Sequence, residues 1–145
     1  RILKVCEKVY TRKGKVYKEA KVDDRGRIVL ESGEAKFGHQ LEGDDAPVME
    51  EVMIGKIITF ALDVADEKAK PEERRKRWDL AFRIEQAMEK LEVMKIEPKE
   101  EVMIRDCADL ITKNNMFLAR IHEVLDEMEV EQTSKVNGEV KEARV

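Results

Sequence analysis

The chain has 145 residues, 42% of them apolar and 41% charged, with a net charge of −4. That apolar share is too large for a disordered chain and sufficient for a compact core, while the acidic balance argues against a generally basic nucleic-acid binder. Aromatic residues make up 5%, which disfavours an extended base-stacking platform.

The first 32 residues read as short strands. ILKVCEKVY and KVYKEAKV are rich in β-branched and aromatic residues and are separated by Thr11-Arg12-Lys13-Gly14, a hairpin-turn sequence. A second turn, Asp23-Asp24-Arg25-Gly26, precedes RIVLE, so the economical arrangement is an antiparallel β-meander. Few strands are marginal alone, and this sheet requires helices or a partner to cover it. Its apolar and aromatic positions Val9, Tyr10 and Tyr17 are candidate protein-contact residues.

A Gly-rich, acidic connector follows over 33–46 and ends in Asp44-Asp45, suitable N-cap residues before Pro47. Helix A is then expected from Pro47 to Asp66. Its broad apolar face, which includes Val52, Ile54, Ile57, Ile58, Ala61 and Leu62, implies central burial. The pentapeptide EEVMI stands at 50–54 and recurs at 100–104, the first copy three residues after Pro47 and the second two residues after Pro98. This predicts two consecutive helical pairs, since proline and acidic residues both suit a helix's first turn.

Helix B is expected from Pro71, with Trp78, Ala81, Phe82, Ile84, Ala87, Met88 and Leu91 as its inward stripe. LEVMKIE (91–97) reads as a short extended bridge. Helix C is expected from Pro98 to Thr112, burying Val102, Met103, Ile104, Cys107, Leu110 and Ile111. Asn114-Asn115 interrupts the pattern, and helix D is expected from Met116 to Glu129. The last residues, 131–145, are expected to form a mobile tail. The overall expectation is an α+β fold: a β-meander with its connector over 1–46, and a four-helix domain of two helical pairs over 47–130.

No apolar run approaches a membrane span, and no signal-peptide h-region stands near the start. Cys6 and Cys107 fit no metal or disulfide spacing and read as free thiols in a reducing cytoplasm. His39 and His122 are the only histidines, and no Cys/His cluster accompanies them. His122 reads as a surface histidine beside Glu123 and Asp126. The acidic pairs read as solvated charges, and serine is too rare for a serine nucleophile. The expectation is a chain with no cofactor, no metal and no catalytic residues.

Charge falls in blocks. Residues 1–27 hold ten basic against four acidic side chains, and 28–66 hold two against nine. Such blocks favour self-association or docking onto a charged protein partner. Arg74, Arg75, Lys76 and Arg77 form a basic run that reads first as a solubilising helix face and second as a contact for nucleic acid or an acidic partner. The seven methionines suit core filling or adaptable contacts, with Met49 and Met53 the candidates for the latter.

The stretches FALD (60–63), KRWDLAFRI (76–84), MKIEPKEEVMI (94–104) and RIHEVLDE (120–127) together resemble a pattern found in small phage- and prophage-encoded helical proteins. The resemblance covers about 48–128, departs from the pattern in the N-terminal section and at Asn114-Asn115, and carries over no site residues. It implies a phage context, in the host cytoplasm or the virion. The function it favours is a non-enzymatic virion component or assembly factor acting through self-association or other phage proteins. A nucleic-acid-associated regulator using residues 74–77 is the alternative.

Overall fold

A computed structural model describes residues 1–64 and 68–128. In chain order the elements are β1 (Ile2–Leu3), β2 (Lys18–Ala20), β3 (Ile28–Val29), β4 (Ala35–Lys36), β5 (Met49–Glu51), α1 (Ile54–Asp63), α2 (Pro71–Glu89), β6 (Met94–Lys95), α3 (Pro98–Ile111) and α4 (Asn115–Asp126). The fold is α+β, with small antiparallel strand pairs toward the N-terminus and four helices. The expected tail, 131–145, lies outside the described residues. Among the described residues no helix is long and apolar enough to cross a membrane.

The chain divides into two compact units. Lys8–Val52 forms one, and among the described residues Arg1–Glu7 joins the segment from Met53 onward in the other. The first strands therefore do not form one sequential meander. β1 pairs with β6, setting Ile2 opposite Lys95 and Leu3 opposite Met94. β2 pairs with β5, and β3 with β4.

In the β unit, the two expected turns form. Gly14 and Gly26 donate to the carbonyls of Thr11 and Asp23, and both have φ of +80°, a region that glycine enters without a Cβ penalty. Asp23 fastens its turn by accepting from the Arg25 and Arg27 N–H groups and from Arg27 Nε. Asp45 accepts from the Glu42 N–H at 2.8 Å and from Lys36 Nζ at 3.1 Å. Asp45 is thus occupied within the unit and caps no helix.

This relocates the start of the first helix. The expected 47–53 helical turns are extended instead: Pro47 bridges Leu30, Val48 donates to the Val29 carbonyl and accepts from the Lys21 N–H, and Met49–Glu51 pairs with Lys18–Ala20. Strand partners were available for a Val-containing stretch, and long-range pairing prevailed over the local helix-start signal. The second EEVMI lies within α3, where Pro98 occupies the first turn and the Glu97 N–H donates to Glu100 Oε1 at 2.8 Å. One pentapeptide therefore serves as strand and helix entry in one place and as helix interior in the other.

In the helical unit, α1 is central and packs against α2, α3 and α4. Ile54, Gly55, Ile57, Ile58, Thr59, Ala61 and Leu62 are all buried, as the broad apolar face predicts. No side chain caps its first turn. The Ile54 and Gly55 N–H groups donate instead to the carbonyls of Glu7 and Val5, at 2.7 and 2.8 Å. Leu3 and Val5 are fully buried. At α4, Asn114 accepts from the Met116 and Phe117 N–H groups, so the expected interruption is a side-chain N-cap.

The inward faces of α2 and α3 are narrower than expected. Leu80, Ala81, Ile84 and Ala87 are buried on α2, while Trp78, Phe82 and Leu91 are exposed. On α3, Ile104, Cys107 and Ala108 are buried, while Val102 and Leu110 are exposed. Small alanines at 81, 87 and 108 admit close helix approach, so the bulky neighbours on other rows are left outside.

Two predictions follow from this packing. A Cβ at Gly55 would lie 2.6 Å from Met88 Sδ and 3.0 Å from the Val5 carbonyl oxygen. Gly55→Ala gains up to about 1 kcal/mol of helix propensity but meets an overpacking cost of about 1–3 kcal/mol, because the Val5 backbone cannot yield without weakening the α1 cap. Urea denaturation should show net destabilisation. For the β unit, the backbone N–H of Glu42 and then Lys36 hold the Asp45 carboxyl below its ordinary pKa, and the Arg27 backbone N–H foremost does so for Asp23. A carboxyl with a depressed folded value stabilises fully above the ordinary carboxylate range, and the contribution disappears as pH falls through the folded value. Amide NMR signals of residues 8–52 should therefore be lost at lower urea in acid than at neutral pH. Asp45→Asn should lower the neutral midpoint and flatten that dependence.

Candidate functional site

The densest polar cluster joins α3 to α4. Arg105 on α3 binds Glu101 Oε2 through Nε and Nη2 at 3.0 and 2.9 Å, and reaches Asp126 Oδ1 on α4 at 2.8 Å. Its Nη1 lies 2.9 Å from His122 Nδ1, and His122 Nε2 lies 2.7 Å from Asp109 Oδ1. A guanidinium only donates, so Nδ1 accepts and the ring hydrogen sits on Nε2, donating to Asp109. Arg1 extends the chain of contacts, with Nη1 3.2 Å from Glu101 Oε1. Partial burial opposes the Arg105 charge, yet the Asp126 and Glu101 hydrogen bonds outweigh it and hold its pKa above the ordinary value.

His122 thus finds its carboxylate on the neighbouring helix, at Asp109. Of the two acids beside it in sequence, Asp126 binds Arg105 and Glu123 pairs with Arg120. Both ring nitrogens are engaged, and the arrangement acts as a clamp between helices. His39, the other histidine, is exposed in a 3-10 turn (Gly38–Gln40) and stacks on Phe37 at 6.0 Å. Among the described residues no group of three His, Cys, Asp or Glu side chains could hold a metal ion. A cleft of about 420 Å³ is lined by Arg1, Arg83, Lys95, Ile96, Glu97 and Glu100. Charges of both signs share it, and Arg83 is bound to Glu100 and to the Lys95 carbonyl. Neither Cys6 nor Cys107 is in a disulfide, and Cys107 is buried.

A further surface feature is the aromatic pair on the outer face of α2. Trp78 is 61% exposed and Phe82 46% exposed. Their rings stack with centroids 5.5 Å apart and planes 6° from parallel, the i,i+4 spacing placing them one helical turn apart. The inward row, Leu80, Ala81, Ile84 and Ala87, occupies the opposite side. Hydropathy gives α2 two apolar rows and does not say which one the core will take. The i,i+4 aromatic pair among charged residues is the sequence signal that marks the outer one.

The basic run sits one turn before this pair. Arg74, Arg75 and Lys76 are exposed and Arg77 is half-buried, so the four cations are not equivalent. Acidic side chains bracket them on the same helix, with Glu72 and Glu73 before and Asp79, Glu85 and Glu89 after. Of the candidate contact residues, Met49 is 53% exposed and Tyr10 is exposed. Met53 and Tyr17 are half-buried, and the Tyr17 hydroxyl donates to Glu19. Val9 is corrected from a surface contact to a core residue. It is fully buried, and its backbone is bonded both to the Val52 carbonyl and to the Tyr17 N–H.

Compared with family models, curated proteins and solved structures, the chain finds no match.

Arg105→Ala would leave Glu101, whose side chain is only 13% exposed, with fewer donors. The expected destabilisation is about 1–2 kcal/mol, mostly from the Glu101 end, because Asp126 faces solvent. Thermal unfolding by circular dichroism measures it. An unchanged midpoint would show that the clamp contributes nothing to holding α4 on α3.

Proposed function

We propose that this chain is a non-enzymatic protein-contact module whose working surface is the outer face of α2. The role best matched is a structural component or assembly factor of a phage particle. The observation that supports the reading is the stacked Trp78–Phe82 pair, left exposed on a helix whose other side is buried. Tryptophan, other aromatics and arginine are the residue types that most often anchor protein interfaces, with polar groups around them. Here Arg74 and Arg75 lie on one side of the pair and Glu85 and Glu89 on the other. A mixed-sign border of this kind suits a protein surface, whose own charges are mixed.

The same cations could instead contact phosphates. The electrostatics oppose it: α2 carries five acids, Glu72, Glu73, Asp79, Glu85 and Glu89, on the same helix as the basic run, and the chain as a whole is acidic. A phosphate backbone presents one sign only and is repelled by those acids.

A photo-crosslinking amino acid placed at position 78 distinguishes these outcomes in cells that produce the full chain. The expected products are covalent protein–protein adducts, absent when the same residue is placed at exposed Lys113. Adducts to nucleic acid, or adducts equally abundant from both positions, would overturn the reading.

A further inference from the structure

The geometry points to a second copy of this chain as the occupant of the α2 face, docked antiparallel about a two-fold axis near Leu80. The inference rests on the protein-contact reading and names the partner. α2 runs Pro71–Glu89, so residue 80 is its midpoint. Trp78 and Phe82 stand two positions to either side of it, and Arg75 and Glu85 five positions to either side. An antiparallel partner helix centred there brings Trp78 against the partner subunit's Phe82, and Phe82 against the partner subunit's Trp78. It also brings Arg75 beside the partner subunit's Glu85, and the relation is reciprocal because a two-fold interface uses one patch twice.

A parallel arrangement would instead set Arg74 and Arg75 against their own copies, which like-charge repulsion disfavours. Among the described residues, no ion pair within the chain engages Arg74, Arg75 or Glu85. They are available for contact in trans. The antiparallel dimer therefore has four aromatic rings at its centre and matched charges toward both ends, the layout of an apolar core with a polar rim. A single helix pair is smaller than a standard stable interface, so association should be concentration-dependent.

Trp78 is the only tryptophan, and its fluorescence reports directly on the proposed centre. The full chain is followed by sedimentation velocity and by tryptophan emission over about a hundredfold range of concentration. The expected result is a mass rising from one chain to two, with a blue shift of emission at the same midpoint. Arg75→Glu alone and Glu85→Arg alone should each raise that midpoint about tenfold, since each change alters two symmetric charge contacts. The double variant R75E/E85R should return it to within about threefold of the original, a rescue that a general loss of structure cannot produce. A single-chain mass with unmoved emission throughout would overturn the proposal, and so would a dimer indifferent to both reversals or an open-ended series of larger species. Crosslinks from position 78 to a different protein, together with a single-chain mass in isolation, would sink the two-fold dimer and leave the protein-contact reading standing.

Discussion

The first turn of α1 has no side chain to satisfy its leading N–H groups, and the carbonyls of Glu7 and Val5 do so instead. An uncapped helix start in a dry interior would leave buried donors without partners, at a cost of about 1–3 kcal/mol each. The segment 1–7 is therefore part of the helical unit's core. Its Leu3 and Val5 are wholly buried, its strand pairs with Met94–Lys95 just before α3, and its passage beside Gly55 leaves no room for a Cβ. Three elements distant in sequence converge on these residues. α1 then offers its buried face to the other three helices.

With α1 at the centre, each remaining helix buries one narrow row. On α3 and α4 the space beside those rows is spanned by the Arg105 network, in which one guanidinium serves Glu101, His122 and Asp126. Among the described residues, no such polar network is seen on the outer side of α2. That side carries instead the two stacked rings, between a basic beginning and an acidic end. Burying one face of a helix defines the opposite face as surface, and the residues found there decide what the helix can bind. On α2 they are aromatic and charged in a pattern symmetric about the helix midpoint.

Much of this architecture is legible in the residues. Pro71 and Pro98 stand in the first turns of their helices, Asn114 marks the break that it caps, and the Thr11–Gly14 and Asp23–Gly26 turns form where their letters place them. These are local signals, acting within four residues of their own position. The signals at Asp44-Asp45 and Pro47 are equally local, yet no helix starts there, because Lys36 and the Glu42 N–H take the Asp45 carboxylate and strand partners take 47–51. The contact candidates divide in the same way. Met49 and Tyr10 stand at the surface, while Val9 is enclosed by backbone partners from Tyr17 and Val52.

By itself the sequence determined the α+β class, the two glycine turns, the proline starts of α2 and α3, the central burial of α1 and the charge blocks, because each depends on spacing along the chain or on composition. Only the tertiary structure decided that residues 1–7 cap α1, that EEVMI is an extended helix entry once and helix interior once, and that Trp78 and Phe82 face outward. Those outcomes depend on which distant backbone group or apolar row packs at a given place. A pattern of letters fixes the faces a helix has, and the neighbours that pack against it choose which face is hidden.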